Sequence, residues 1–340
     1  IYCRFVGFFV QNWSIYGYNR NTNPELTKIK GLTAFSHVLT ESNTTHKSVP
    51  MLMSSVTAHD FNSIYRQKGI ITAFKEAGYR TAFFSNQRYN HSFIDFFGKE
   101  ADICDFIKED AGDGSYNPSD DELLKLVAAE LAENASKQFI VLHTYGSHFN
   151  YRERYPADHA FFLPDFPVDA ELKYKDNLIN AYDNSIRYTD NFLARLIRML
   201  QEQDIDAAML YTSDHGEDIF DDDRHLFLHA SPVPSYYQIH VPFLIWMSDN
   251  YRKNYPDLFK NAEINRQKNI SSSASFFQTM LELGGIDTPS RNDSLSVINA
   301  SYTEKNRVYL NDHNEARSLN DIGMREEDFT MLQTKGIVYR

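Results

Sequence analysis

The sequence predicts an α/β protein: a mostly parallel central sheet with helices on both faces. Three observations carry that prediction. First, short apolar runs read as buried strands: LTAFSHVL at 32–39, RTAFF at 80–84, QFIVL at 138–142, AAMLY at 207–211 and PFLIWM at 242–247. Second, amphipathic helical segments separate them, and strands alternating with helices build βαβ units rather than hairpins. Third, polar clusters at Thr45, Asn86, His143/His148 and Asp214/His215 each follow a strand end. Parallel sheets of this kind bind ligands beyond the carboxyl ends of their strands.

In chain order, Ile1–Val10 is apolar and aromatic, interrupted by Arg4, and reads as a first buried strand. Gly17, Asn21, Asn23 and Pro24 mark a structured loop, with a helix starting at Pro24. After the strand at 32–39, the Ser/Thr cluster at 40–45 signals a helix start. Ile64–Ala77 reads as an amphipathic helix stopped by Gly78. Asn86 and Gln87 follow the next strand. Asp120–Ala135 is a helix with Ser119 as its N-cap and Leu123, Leu124, Leu126, Val127 and Leu131 on its apolar side. Phe149–Lys175, rich in aromatics, Pro and charge, reads as an excursion over the active face. Asp176–Gln203 is a long helix, and Ser272–Leu283 a helix ending at Gly284-Gly285. Beyond it the signals weaken, with Arg307–Leu310 as an edge strand. The expected organisation is a single catalytic domain over 1–340, with a core at about 13–285 and a C-terminal segment at 286–340. No internal repeat is visible.

Composition narrows the function. A chain of 340 residues can bury a large core. The net charge is −12, without a Lys/Arg cluster to track a phosphate backbone. That excludes nucleic acid as main partner and suits a protein that holds cations. The two cysteines, Cys3 and Cys104, allow at most one disulfide and have no metal-ligand spacing. They read as small buried hydrophobes, with their pairing left open. No apolar run approaches the roughly 18–20 residues of a membrane span, and no export leader is present. The chain reads as a soluble domain.

The chemistry concentrates in LYTSDHGED at 210–218. A carboxylate and an imidazole at a strand end suit a divalent transition metal, zinc above all, against the alternative of an ordinary strand-to-loop pair. Gly216 is read as the residue that permits a sharp turn there. A catalytic zinc takes about three protein ligands and keeps one position open. Thr45 is a candidate third ligand and nucleophile, since its hydroxyl needs a metal or base to lower its pKa. At a helix N-terminus, a phosphorylated Thr45 would meet open N–H groups; the alternative is a plain N-cap. His148 and His229 are candidates for a second metal or for phosphate oxygens. His143 reads as packed. His37, His59, His159, His240 and His313 read as surface or satisfied polar residues, and His46 and His225 stay unassigned. Glu217 and Asp218 read as supporting or solvated.

These residues resemble a known family. Asp214-His-Gly-Glu217, Thr45-His-Lys-Ser-Val-Pro50, Leu142-His-Thr-Tyr-Gly-Ser-His148, Tyr16-Gly-Tyr-Asn-Arg-Asn-Thr22, Tyr182-Asp-Asn-Ser-Ile-Arg-Tyr-Thr-Asp190 and Leu228-His-Ala-Ser-Pro232 look like the phosphoethanolamine transferases of the alkaline-phosphatase/sulfatase superfamily. The resemblance runs from about residue 13 to 250 and is specific only in combination. It implies an alkaline-phosphatase-like fold and a catalytic domain facing the periplasm at the bacterial inner membrane, normally behind transmembrane helices absent from this sequence. It also implies one zinc ion, with room for a second, and a zinc-bound Thr that takes phosphoethanolamine from phosphatidylethanolamine. The group then passes to lipid A or the lipopolysaccharide core. By position, Thr45 matches the nucleophile, and Asp214 and His215 match zinc ligands. His148 and His229 match histidines near the phosphate or second metal, and Asn86 and Gln87 the phosphoethanolamine contacts. One departure stands out. The family has a Gly-Glu after the first strand whose Glu is a zinc ligand, whereas Val6–Asn12 here contains no acidic residue. Glu41 is the acidic residue nearest Thr45.

Three alternatives stand beside this reading. A sulfatase needs a Cys or Ser in a Cys/Ser-x-Pro-x-Arg site, and neither cysteine has that context. A glycerol-phosphate transferase, phosphatase or phosphodiesterase of the superfamily would share the metal site, but the Thr-x-x-Ser-Val-Pro run favours the ethanolamine family. The third is a metal-binding but inactive domain lacking the N-terminal Glu.

Overall fold

The computed structural model describes residues 2–5 (backbone only), 10–108, 117–166 and 169–339; of residue 11 only the backbone is described. The strands are β1 (Tyr2–Phe5), β2 (Leu32–Ala34), β3 (Val38–Leu39), β4 (Arg80–Ser85), β5 (Ile103–Phe106), β6 (Gln138–His143), β7 (Ala208–Ser213), β8 (Asp218–Ile219), β9 (Phe227–Leu228), β10 (Phe243–Met247), β11 (Ile270–Ser271), β12 (Val308–Leu310) and β13 (Ala316–Ser318). The helices are α1 (Thr45–Met53), α2 (Ile70–Glu76), α3 (Phe93–Gly98), α4 (Asp121–Ala132), α5 (Lys175–Gln201), α6 (Tyr236–Ile239), α7 (Asp249–Asn254), α8 (Pro256–Asn265), α9 (Ser272–Leu283) and α10 (Glu326–Thr334).

Seven strands form the main sheet in the order β2-β10-β7-β1-β6-β4-β5. Its pairs are parallel except those made by β10, which runs against both β7 and β2. The period-two alternation of the strands sorts their side chains between two cores. Phe83, Phe139, Val141, Leu210, Phe243, Ile245 and Met247 face one core, with α1, α2, α3 and α9. Ala82, Phe84, Ile140, Leu142, Met209, Tyr211, Leu244 and Trp246 face the other, with α4 and α5. Strands buried on both faces read as near-continuous apolar runs, which is why these lack polar alternation. Trp13, fully buried, packs its ring 5.5 Å from Tyr211 and ties the N-terminal loop to the second core.

Several sequence-based expectations are corrected. The run 32–39 is two strands in different sheets. β2 joins β10, whereas β3 pairs with β11, and the break at Ser36 donates its N–H to Arg266 O. Thr45 therefore follows a strand of a small two-stranded sheet, not of the main one. The helix expected over 64–77 is divided. A 3₁₀ stretch, Ala58–Arg66, ends before Gly69, whose extended backbone (φ −85°, ψ 177°) caps a separate α2. From Pro24 onward only a 3₁₀ turn, Leu26–Lys28, forms. The N-cap of α4 is Asp120, not Ser119. Strand β12 is not an edge of the main sheet; it forms a two-stranded unit with β13. The sequence does not announce β5, because its four residues, Ile103–Phe106, include Asp105 and carry no clean pattern.

The cysteine pairing is answered by topology. β1, which carries Cys3, lies three strands from β5, which carries Cys104. At about 4.8 Å per strand that is roughly 14 Å, well beyond disulfide reach. Cys104 is a half-buried free thiol rather than a fully buried hydrophobe.

The segment after 285 is packed. Val297 and Ile298 are fully buried in the first core. Tyr309, Leu319, Met324, Leu332 and Ile337 form a third cluster over Leu39, Tyr236 and Ile239.

Candidate active site

Asp214 and His215 leave the carboxyl end of β7 and are fully buried. Hydrogen bonds with two other segments hold this turn. Thr40 Oγ1 donates to Asp214 O (2.7 Å), and Gly216 N donates to Gln238 O (2.8 Å). Gly216 itself does not adopt a left-handed conformation, so the turn rests on these bonds rather than on glycine's freedom. Thr45 arrives from the first turn of α1, half-buried, with Thr44 as an N-cap whose side chain makes no capping bond. Its Oγ1 lies 3.0 Å from His215 Nε2, and Asp214 Oδ2 lies 3.4 Å from the same nitrogen. Ser48, three residues on and so on the same helix face, donates to Asp214 Oδ2 at 3.3 Å.

The histidines share one arrangement. His215 Nδ1 lies 2.9 Å from Gly216 O, and His148 Nδ1 lies 2.6 Å from Phe149 O. A carbonyl can only accept, so both Nδ1 atoms carry the proton and both Nε2 atoms keep the lone pair when the rings are neutral. Burial pushes His215 down to about 4, so it is neutral at physiological pH. His229 stacks on His215 with centroids 3.9 Å apart, and His148 lies 6.3 Å from His229. His229 is held at Nδ1 by Glu217 Oε1 (3.2 Å), and Tyr151 donates to Glu217 Oε2 (2.7 Å). Burial works against a charged His229, but the Glu217 hydrogen bond and the charges of Glu217 and Asp214 outweigh it and raise its pKa. The residues on either side of His229, Leu228 (φ 68°) and Ala230 (φ 63°), are both left-handed. Such strain costs of order 1 kcal/mol or more per residue and concentrates at functional sites. Asn43 holds this loop, accepting from Ala230 N (3.2 Å) and donating to Ser231 O (2.9 Å).

Thr45, Asp214, His215, His229 and His148 are thus brought together. Asn86 and Gln87 lie at the same sheet edge but in another network. Asn86 Nδ2 donates to Pro118 O (2.9 Å) and Asp120 Oδ1 (2.8 Å), and the Asp120 carboxylate also accepts from Tyr145 N and Gly146 N. Gln87 is half-buried, with Nε2 3.4 Å from Thr144 O. His143 is packed, as expected, and bonded to Ser85 Oγ (2.9 Å). Glu217 and Asp218 are not solvated: both are buried, and Asp218 accepts from Ser235 and Gln238. Residues 6–9, most of the stretch without an acidic residue, lie outside the described residues. Glu41 turns out to line a separate cavity. Sequence reasoning missed Ser48, Asn43, Tyr151 and Gln238. Only Ser48 had a signal, its three-residue spacing from Thr45.

The donor set suits zinc: a carboxylate, a neutral imidazole with its lone pair aimed inward, and a hydroxyl. Among the described residues, no three His, Cys, Asp or Glu side chains form a metal-holding group. Among the described residues, a site at Asp214 and His215 would take the Thr45 oxygen as its third protein donor.

The family model described as Sulfatase matches residues 7–286. The phosphoethanolamine transferase EptC of Escherichia coli O18:K1:H7 is 26% identical over 305 residues, 86% of this chain and 52% of that protein. The Kdo(2)-lipid A phosphoethanolamine 7''-transferase of Escherichia coli K12 is 31% identical over 269 residues, 75% of this chain and 45% of that protein. The chain thus spans about half the length of the curated relatives it matches. Among solved structures, the C-terminal periplasmic domain of EcEptC from Escherichia coli, in complex with Zn, superposes with a TM-score of 0.84 at 23% identity, covering 95% of this chain and 93% of that one. The soluble domain of lipooligosaccharide phosphoethanolamine transferase A from Neisseria meningitidis gives 0.78 at 24%, covering 87% and 91%. These structural likenesses speak for the fold.

Proposed function

The chain belongs to the Sulfatase family, and we propose that it is the catalytic domain of a phosphoethanolamine transferase, moving the group from phosphatidylethanolamine through phosphorylated Thr45 to a lipid A or lipopolysaccharide-core acceptor. One observation carries this reading: Thr45 Oγ1 stands 3.0 Å from a neutral, lone-pair-bearing His215 Nε2 beside the Asp214 carboxylate. The names of the relatives support the transferred group and the class of acceptor.

In the first half-reaction Thr45 Oγ attacks the donor phosphorus. The bond from phosphorus to the diacylglycerol oxygen breaks, and that oxygen takes up the proton lost by Thr45. The uncapped first turn of α1 offers N–H groups to the phosphoryl oxygens. In the second half-reaction an acceptor hydroxyl attacks the phosphorus, and Thr45 regains a proton as its oxygen leaves. Thr45, Asp214 and His215 would hold one zinc ion. When bound, zinc favours the ionised form of a hydroxyl and offsets phosphoryl charge. His229, inclined to its charged form by Glu217, suits a phosphoryl oxygen better than a second metal, and the His148 ring stands 6.3 Å from it. Gln87 remains the candidate contact for the phosphoethanolamine moiety, with Asn86 shaping that edge. We place the reaction at the periplasmic face of the bacterial inner membrane, where donor and acceptor lipids meet.

The test is intact mass after incubation with phosphatidylethanolamine and zinc. The expected result is one phosphoethanolamine adduct on wild type, mapped to Thr45 and absent from Thr45→Ala. An adduct elsewhere, or none with zinc bound, overturns the reading.

A further inference from the structure

Away from Thr45 and the histidines, a cavity of about 490 Å³ is lined by Glu41, Ala274, Ser275, Leu295, Tyr302 and Val308, among others. Its volume falls in the range of small-molecule sites, roughly 300–1,000 Å³. Glu41 is 3% exposed, and its Oε2 has no hydrogen-bond partner among the described residues. Burial pushes its carboxyl up to about 7, against the Ser273 hydroxyl and the charge of Arg307, which lower it; the charge of Asp60 adds to the rise. Arg307 does not pair with Glu41. Its guanidinium donates to Ile270 O, His37 O (2.8 Å), Val338 O (3.1 Å) and Asn269 Oδ1 (3.2 Å). The Tyr302 hydroxyl is likewise occupied, donating to Asn269 O at 2.7 Å.

A buried carboxylate with no cation bonded to it directly is costly, even with the Arg307 charge nearby, and the protein that keeps one beside a void gains by filling it with a matching charge. One wall of the cavity states the shape of that partner. Ala274, Leu295, Val308 and the Tyr302 ring are apolar, so a bare hydrated ion would leave them wet, while the exposed Glu304 and Lys305 stand at the lining with opposite charges. We propose that this cavity binds a small organic ammonium compound, its nitrogen on the Glu41 carboxylate and its carbon chain against Leu295, Val308 and Tyr302.

Calorimetric titration at about pH 8, with the carboxylate ionised, tests this using n-hexylammonium chloride and its neutral counterpart n-hexanol. The expected result is saturable one-to-one binding of the amine, weaker by roughly tenfold or more for the alcohol and for Glu41→Gln, as loss of a charged hydrogen bond requires. No saturable amine binding to wild type, equal binding of alcohol and amine, or undiminished affinity in Glu41→Gln overturns the proposal. Should Glu41→Gln fail to fold, Ala274→Phe decides: its ring fills the cavity from α9, so wild-type affinity in that variant also overturns it.

Discussion

The β7 end and the β4–β6 end of the main sheet share one edge and a similar wealth of polar side chains, yet they are built differently. At the β7 end, His215 Nε2, a carboxylate oxygen and the Thr45 hydroxyl converge within 3.4 Å, while second bonds at His215 Nδ1 and through Glu217 hold the rings in place. At the other end Asn86, Asp120, Tyr145 and Gly146 bond chiefly to one another. The first arrangement keeps reactive atoms aimed at one point; the second fixes loops. Polar richness at a sheet edge therefore does not identify a reactive centre. Convergence of a carboxylate, an imidazole lone pair and a hydroxyl on one point is the better sign, provided a supporting tier fixes their direction.

The contrast can be broken most directly at Thr45. Thr45→Ala should lower transfer from phosphatidylethanolamine by roughly 10³-fold or more, as loss of a nucleophile does, with thermal stability within about 0.5 kcal/mol of wild type. Substantial residual turnover would remove the β7 end's claim to the chemistry. Next in size, Asp214→Asn should weaken zinc binding by roughly 100-fold, at or above the range for disturbed metal sites, measured by competition with a chelator. Unchanged affinity would mean that the metal sits elsewhere.

The β4–β6 end should answer in stability instead. Asn86→Ala removes a donor from the buried Asp120 carboxylate and should cost about 1–3 kcal/mol in denaturant unfolding, while the rate of Thr45 phosphorylation stays within a few fold. A large rate loss with normal stability would move Asn86 from scaffold to substrate contact and sharpen its role in the opposite direction.

Smallest per pH unit is the effect of His240, buried between Tyr236 OH (2.7 Å) and Ser36 O (2.9 Å). Burial holds its pKa down at about 3 in the folded chain, against 6.5 for an ordinary histidine. As pH falls below 6.5 the unfolded chain takes up this proton first, so stability is lost progressively towards pH 3, by up to about 1.4 kcal/mol per pH unit from this group. In His240→Gln the slope of unfolding free energy against pH over that window should be shallower. An unchanged slope would assign the acid sensitivity to other groups.

The main-sheet strands were legible wherever both faces are buried, because a run such as QFIVL states its own burial without reference to any partner. The Asp214-His215 pair at a strand end and the helix start at Thr45 were legible for the same local reason. Tertiary packing alone decided that β10 runs antiparallel, and that Thr45 enters from a small sheet of its own. It also set Glu217 against His229 and closed Tyr309 onto Asn43 (2.6 Å) and Lys47 onto Asn311 O (2.6 Å). Thr45 and His215 are 170 residues apart, and Asn43 and Tyr309 are 266 apart. Periodicity records which face of a segment is buried; it carries no record of which distant segment does the burying, and that choice is made by the packing of the whole chain.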